Sequence, residues 1–206
     1  MKKIVCLLIF LSFIISSSAQ EEKDRYAKTN TIWFAESSLG LGSIYNGENS
    51  AAAFNFNFTA NYQHKKSLYT LRYNYVADIS VTFIFFFPVP TESQSINELG
   101  LLYGRRWLFE GGSLSVSGGA SLNNYKSNII GGEVFENSNH IGFPFEINAR
   151  LFKKKKGVYR AFYGLIPVGK PTAFGRGVGL KLSGNIANRG FISFGITFSL
   201  GAHKYY

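Results

Sequence analysis

The chain has 206 residues, of which 46% are hydrophobic and only 17% are charged, and its formal net charge is +10. Charged residues make up about 25% of an average soluble chain, so this composition argues against an ordinary cytosolic enzyme. After residue 20 no run of roughly 20 apolar residues occurs, which argues against a bundle of transmembrane helices.

Residues 1–19 have the pattern of a secretory signal peptide. A basic start precedes the apolar stretch 4–15, and small residues lead up to Ala19. The alternative, an N-terminal membrane anchor, requires a longer apolar stretch than this one. We therefore predict cleavage near Ala19 and a single mature domain over residues 20–206.

Removal of this segment changes the chemistry of the chain. The single cysteine, Cys6, leaves with it, so the mature domain has no disulfide and depends on hydrogen bonds or a large core. Lys2 and Lys3 also leave, and 20 Lys and Arg then stand against 12 Asp and Glu, a net charge of +8. Such a surplus favours anionic neighbours, including lipid phosphates.

Hydrophobic and polar residues alternate through most of the mature chain. From Ala52 to Gln63 the even positions carry Ala, Phe and Tyr, whereas most odd positions carry Asn, Thr or Gln. Period-two alternation predicts strands, and about ten residues suffice for a tilted strand to cross a membrane. The predicted strands are, in chain order, 33–41, 52–63, 69–77, 99–107, 114–122, 141–151, 174–182 and 192–200.

The polar face of these strands indicates which side is inside. A soluble barrel or sandwich, the alternative fold, usually fills its wet face with Lys and Glu, whereas Ser, Thr, Asn and Gly dominate here. Small polar residues fit a narrow lumen, and closure into a barrel leaves no backbone group unpaired in lipid. We predict an all-β fold, an eight-stranded antiparallel transmembrane β-barrel.

Two further stretches leave ten strands as the alternative. The alternation of the third strand continues to Phe87, and 158–168 is also strand-like. Ten strands would place the long polar segment 123–139 at the periplasmic end, where such barrels keep short turns. For that reason we prefer eight.

The predicted loops separate acidic from basic residues. With the N-terminus in the periplasm, the odd-numbered connections, including 42–49, 88–95 and 123–139, face outward. They carry Glu48, Glu92, Glu133 and Glu136. The lysines of 64–66 and 153–156 then lie at the periplasmic end, as solvated turns or in contact with anionic headgroups.

Four Gly-rich segments resemble a known family. They are 98–105 (ELGLLYGR), 141–146 (IGFPFE), 177–186 (GVGLKLSGNI) and 195–201 (GITFSLG). These segments resemble the small porin-like outer-membrane β-barrels common in Bacteroidota, most of which have no assigned activity. The resemblance covers residues 97–204 and implies an outer-membrane location in a Gram-negative-type bacterium.

The chain departs from that family at 153–172, where members have a short turn. Its aromatic end, Tyr205 and Tyr206, resembles the terminal signal by which such barrels are recognised for insertion. The resemblance thus implies the barrel-insertion machinery as a partner of the C-terminal strand.

No motif indicates a catalytic, cofactor-binding or metal site. The histidines, which lie far apart at turns or strand ends, are His64, His140 and His203. Glycines alternate along one predicted strand, where they relieve crowding in the lumen rather than bind phosphate, at Gly175, Gly177 and Gly179. Because the aromatic residues follow the strand alternation, we expect no nucleic-acid partner.

Charged residues on the lumen-facing positions form the one candidate site. They are Glu36, Arg72, Glu98, Arg106, Glu146, Arg150 and Lys181. Three acids and four bases in a lumen wide enough only for side chains should pair, because an unpaired buried charge is costly. We expect a salt-bridged plug, and the alternative is a narrow polar path for protons or small ions.

We therefore predict a monomeric, non-enzymatic outer-membrane barrel that contacts outer-membrane lipid and acts through outward loops or in membrane integrity. Its extracellular ligand is unknown from sequence. The first alternative is a narrow channel for small solutes or ions. The second is a lipid-modifying barrel enzyme, for which Ser138, Asn139 and His140 form the only suitable segment.

Overall fold

Eight long strands close into an antiparallel barrel, as the alternation predicted. The computed structural model describes residues 32–47, 49–78, 81–84, 87–90, 92–129, 134–154, 157–161, 166–172 and 174–204. The predicted signal peptide and the terminal Tyr205 and Tyr206 lie outside these residues. The barrel strands are Ile32–Asn46 (β1), Asn49–His64 (β2), Ser67–Asp78 (β3), Glu92–Leu108 (β6), Gly112–Ile129 (β7), Val134–Phe152 (β8), Phe174–Ile186 (β11) and Arg189–Ala202 (β12).

Each barrel strand pairs with its neighbours in chain order, and β1 pairs with β12 to close the sheet. The closing register runs from Phe34 opposite Gly201 to Asn46 opposite Arg189. A closed sheet leaves no free edge, so the barrel backbone can satisfy its own hydrogen bonds without water. No helix among the described residues is long and apolar enough to cross a membrane.

Two short hairpins stand outside the barrel. Val81–Ile84 (β4) pairs with Phe87–Pro90 (β5), and Gly157–Ala161 (β9) pairs with Ile166–Thr172 (β10). Both strand-like stretches behind the ten-strand alternative thus contain strands in their described residues. In the described residues each hairpin forms a separate two-stranded sheet, so the barrel itself has eight strands.

The two ends of the barrel differ. The end that carries the first residue of β1 and the last of β12, here called the termini end, also holds the turns at 65–66 and 109–111. The opposite end, called the far end, holds the β4–β5 hairpin, the turn at Gly47 and the tight connection at 187–188. Positive φ angles close two of these turns, 55° at Lys65 and 62° at Gly47.

The strands are longer than predicted at the far end. The predicted loop 123–139 is wrong for most of its length, because β7 continues to Ile129 and β8 begins at Val134. The predicted loops 42–49 and 88–95 are likewise mostly strand. Glu92 and Glu136 consequently lie in β6 and β8, whereas Glu48 and Glu133 lie outside the described residues.

The barrel is apolar outside and polar inside. On β2, Phe58 is 47% exposed, whereas the next residues on either side, Asn57 and Thr59, are fully buried in the lumen. The same parity holds in the other barrel strands, where Leu, Ile, Val, Phe and Tyr cover the outer wall. This distribution is the reverse of a soluble domain and is typical of transmembrane barrels.

A row of aromatic residues encircles part of the termini end. Trp33, Tyr62, Tyr69 and Tyr103 stand directly opposite one another across four adjacent strands. Tyr69 packs its ring 6.1 Å from that of Tyr62 and 5.4 Å from that of Tyr103. Such girdles mark the boundary between hydrocarbon and headgroups in barrels of this kind.

Candidate functional site

The seven predicted lumen residues all point into the barrel. Each residue is at most 3% exposed, and together they come from five different strands. Successive side chains of a strand point to opposite faces of the sheet, and each of these residues lies on the face opposite to the apolar side chains of the outer wall. They are Glu36 (β1), Arg72 (β3), Glu98 and Arg106 (β6), Glu146 and Arg150 (β8) and Lys181 (β11).

Arg72 spans the lumen in its far-end half. Its Nε donates to Glu98 Oε1 at 2.6 Å. Its Nη1 and Nη2 donate to the carbonyl oxygens of Phe145 and Gly184 at 3.0 and 3.1 Å. One guanidinium therefore links β3 to β6, β8 and β11.

Glu98 is held from the opposite wall as well. Asn185 on β11 donates through Nδ2 to Glu98 Oε2 at 2.6 Å. The same amide lies 2.8 Å from Ser121 Oγ and 2.9 Å from Asn123 Oδ1 on β7. Asn185 belongs to the site, although sequence reasoning missed it. Its position on the inward parity was the available signal.

Glu36 is the most heavily bonded carboxylate of the network. It forms an ion pair with Arg150 and accepts from Lys181 Nζ at 3.0 Å. Thr59 Oγ1 donates to it at 3.0 Å and Asn148 Nδ2 at 3.1 Å. Four side chains from three different strands, β2, β8 and β11, converge on this one carboxylate.

Glu146 joins the two halves. Its Oε2 lies 3.9 Å from Arg72 Nη1 and 3.7 Å from Lys181 Nζ. Acids and bases therefore alternate along one chain of contacts, in the order Glu98, Arg72, Glu146, Lys181, Glu36 and Arg150. This arrangement compensates six buried charges in a space that excludes bulk water.

Arg106 does not join this network. Its Nη1 donates to Gln63 Oε1 at 2.8 Å, and no carboxylate of the described residues lies within ion-pair distance. Its guanidinium carbon lies 4.6 Å from the centre of the Phe34 ring and 5.7 Å from that of Phe152. Of the seven candidate residues, the structure brings six together.

Apolar clusters close the lumen at both ends. At the far end, inward side chains from six strands pack together and are at most 2% exposed: Ile44, Ala53, Val76, Ile96, Tyr125 and Phe191. At the termini end, Ile32, Phe34 and Leu68 form a second cluster, with Leu108 packed against it. In the described residues, the charged section thus lies between two apolar layers.

His203, one residue beyond β12, covers the termini end. Its ring stacks on Phe152 at 5.5 Å, and its Nε2 lies 3.1 Å from the Gly175 carbonyl oxygen. Burial lowers the pKa of His203 from 6.5 to about 4, helped by the positive charges of Arg150 and Arg106 and opposed by the bond to Gly175. The imidazole is therefore neutral at pH 7.

The segment singled out for enzymatic chemistry is engaged by Arg189 instead. Arg189 Nη1 donates to Ser138 Oγ at 2.7 Å, and its carbonyl oxygen lies 3.0 Å from His140 Nε2. Arg189 also pairs with Glu136, and its guanidinium stacks on the Tyr125 ring at 4.3 Å. Ser138 and His140 thus contribute to contacts that join β8 to β12 at the far end.

No group of three His, Cys, Asp or Glu in the described residues could hold a metal ion.

Comparison with known proteins identifies the fold. No protein-family profile and no curated protein sequence matches the chain. Among solved structures, Neisserial surface protein A is 9% identical, with a TM-score of 0.49, over 83% of this chain and 98% of that one. The attachment invasion locus protein Ail of Yersinia pestis, solved with the heparin analogue sucrose octasulfate, is 8% identical, with a TM-score of 0.51, over 84% and 98%. The likeness to Ail concerns the fold, an eight-stranded outer-membrane β-barrel.

Proposed function

We propose that this protein is a non-enzymatic, plugged barrel of the outer membrane of a Gram-negative-type bacterium, acting through its outward end or in membrane integrity. The observation that carries the proposal is a lumen filled by a paired charge network and closed at both ends by apolar side chains. Such an interior stabilises the barrel as a scaffold and offers no open path for solutes or ions.

The outer wall supports the membrane location. From Phe54 to Tyr62 the outward residues of β2 span roughly 20 Å along the barrel axis, taking about 3.3 Å per residue and a tilt of about 40°. This height approaches the ~25 Å apolar band of known outer-membrane barrels. Outer-membrane lipid is therefore the partner that we propose for this wall.

Orientation and assembly follow from the same surface. With both termini in the periplasm, the far end and its β4–β5 hairpin face outward. We expect the C-terminal strand to be recognised by the barrel-insertion machinery and the protein to be monomeric, because its sheet is closed. Kinship with the Bacteroidota barrels stays a prediction.

Electrical recording tests the plug. Purified barrel added to a planar lipid bilayer should produce no conductance steps, because six of the seven lumen charges form a paired network and both ends are closed by apolar side chains. Stable single-channel steps would overturn the proposal in favour of a narrow channel.

Location is tested on the same preparation. The protein should fractionate with outer membranes and migrate differently on gels before and after heating, since a closed barrel resists detergent until heated. Recovery from the soluble periplasmic fraction would contradict the membrane location.

A further inference from the structure

Among the residues that the structure describes, the buried charges of the lumen leave one positive charge without an acidic counterpart. Three acids and three bases alternate along the network and balance one another. Arg106 is the seventh charge and lies at the termini end of the same lumen, where it is 1% exposed. Burial of a guanidinium without an anionic partner is costly, so a compensating anion is expected there.

The free donors of Arg106 have the geometry of an anion site. Nη1 donates to Gln63, whereas Nε and Nη2 are buried and have no hydrogen-bond partner in the described part of the chain. Nε and Nη2 form the side edge of the guanidinium, which presents two parallel N–H groups. This edge is the one that binds carboxylates and other anions in a bidentate manner.

A second guanidinium lies beside the same aromatic ring. The guanidinium carbon of Arg150 is 4.4 Å from the centre of the Phe34 ring, on which Arg106 also packs. Arg150 pairs with Glu36 through Nη2, but its buried Nε and Nη1 have no hydrogen-bond partner among the described residues. An anion on Arg106 would therefore also reduce the repulsion between two neighbouring cations.

The surroundings are small and polar. On β7, Ser115 and Ser113 lie opposite Arg106 and Arg150 in the strand register and are buried. On β11, a Cβ at Gly177 would lie 3.2 Å from Arg150 Cδ, so the missing side chain makes room for the Arg150 side chain. The rings of Phe152 and His203 stack on each other and cover this section of the lumen at the termini end.

We propose that Arg106, together with Arg150, binds one small monovalent anion, a halide or a planar oxyanion such as nitrate or formate, at the termini end of the lumen. The single surplus charge selects a monovalent ion. The guanidinium edge and the neighbouring hydroxyls supply its hydrogen bonds, and the Phe152–His203 cover isolates it from bulk water.

Unfolding of the refolded barrel in detergent micelles tests this site. The urea midpoint is measured at pH 8 and constant ionic strength while sodium gluconate is replaced by sodium chloride, nitrate or formate. With a dissociation constant of about 10 mM, 100 mM of a binding anion raises the folding equilibrium constant ~10-fold. Gluconate is too large for the site and should have no such effect.

Variants locate the effect. Arg106→Met should abolish the difference between gluconate and the small anions, because the bidentate edge is lost. Arg176→Met is the matched control, since Arg176 lies exposed on the outer wall near the same end, and it should keep the full difference. Equal midpoints in all salts for the wild type, or an unchanged difference in Arg106→Met, would overturn the proposal.

If the Arg106→Met variant does not fold, a direct measurement on the wild-type barrel still tests the site. Crystals of the wild-type barrel grown with sodium bromide should show an anomalous bromide peak within hydrogen-bond distance of Arg106 Nε or Nη2. A peak elsewhere only, or none, would refute the site.

Discussion

Replacement of Glu36 by Gln is the sharpest test of the plugged lumen. The change keeps the shape of the side chain but removes the carboxylate charge on which Arg150, Lys181, Thr59 and Asn148 converge. The amide can accept at its single oxygen only, and its NH₂ group faces cations. Arg150 loses its only carboxylate partner among the described residues.

The expected size of the effect follows from what each cation retains. Lys181 keeps Glu146 at 3.7 Å and Asn57 at 3.2 Å, whereas Arg150 keeps no carboxylate in the described part of the chain. Removal of one partner of a buried ion pair costs 3–5 kcal/mol, and since Lys181 is only partly affected we expect about 3 kcal/mol. Such a loss is a large fraction of the ~5–15 kcal/mol that stabilises a typical domain.

Urea unfolding of the refolded barrel, followed by tryptophan fluorescence, measures this loss. Glu110→Gln is the matched control, because Glu110 is 87% exposed and pairs at 3.3 Å with Lys154, which is 70% exposed. That change should be nearly silent, since water screens exposed pairs. Arg150→Met combined with Glu36→Gln should be less destabilised than the sum of the single variants, because the two groups interact. Equal stabilities of the Glu36→Gln and Glu110→Gln variants would mean a wet, open lumen and would refute the plug.

Two further predictions concern the outer wall and the termini end. Phe58→Arg should cost about 2–4 kcal/mol and impair insertion into vesicles, because it places a charge at mid-depth in lipid. Asn137→Arg, on an exposed far-end position of β8, should insert normally, and equal insertion of both variants would contradict the wall assignment. The pKa of His203 is about 4 in the folded barrel, below the 6.5 of an ordinary imidazole. The unfolded state therefore binds a proton more readily, and the free energy of unfolding should decrease as the pH falls from 6.5 toward 4. His203→Gln should therefore lose less stability than the wild type between pH 7 and pH 4.5, and identical urea-midpoint profiles would contradict the assignment.

The alternation of the sequence predicted the strands and which residues share a face, whereas the inward side followed from the small polar residues on one face. The preference for eight strands over ten rested on a predicted loop at 123–139, most of which is strand. Side-chain direction along a strand is a local property, so one residue's parity settles that of its neighbours. The ends of the strands were harder to predict. Beyond the apolar band of the outer wall, β7 and β8 carry polar residues on both faces. Backbone pairing continues there without any contrast in hydropathy, as at Asn124, which donates to Asn137 and Asn139 across the two strands.

Parity also placed the seven charged residues in the lumen without indicating which of them meet. Contacts across the lumen depend on strand stagger and side-chain length, which is why Lys181 on β11 reaches both Glu36 on β1 and Asn57 on β2. The apolar end clusters were missed for a different reason. Val76 and Ile96 sit on the polar parity near strand ends, where a single hydrophobic residue does not stand out from its surroundings.

The polar lumen has a further physical consequence for a chain of this kind. A buried ion-pair network is often less stabilising than apolar packing of equal volume, so stability alone does not account for it. Apolar residues on both faces of every strand would, however, produce long hydrophobic runs that aggregate or resemble transmembrane helices before the barrel forms. The charges also define the register, because a one-residue slip of β3 would turn Arg72 from Glu98 to the lipid. The alternation from which the fold was predicted therefore has two further effects. It keeps the unfolded chain polar enough to stay soluble before it inserts, and it allows a single strand register when the barrel closes.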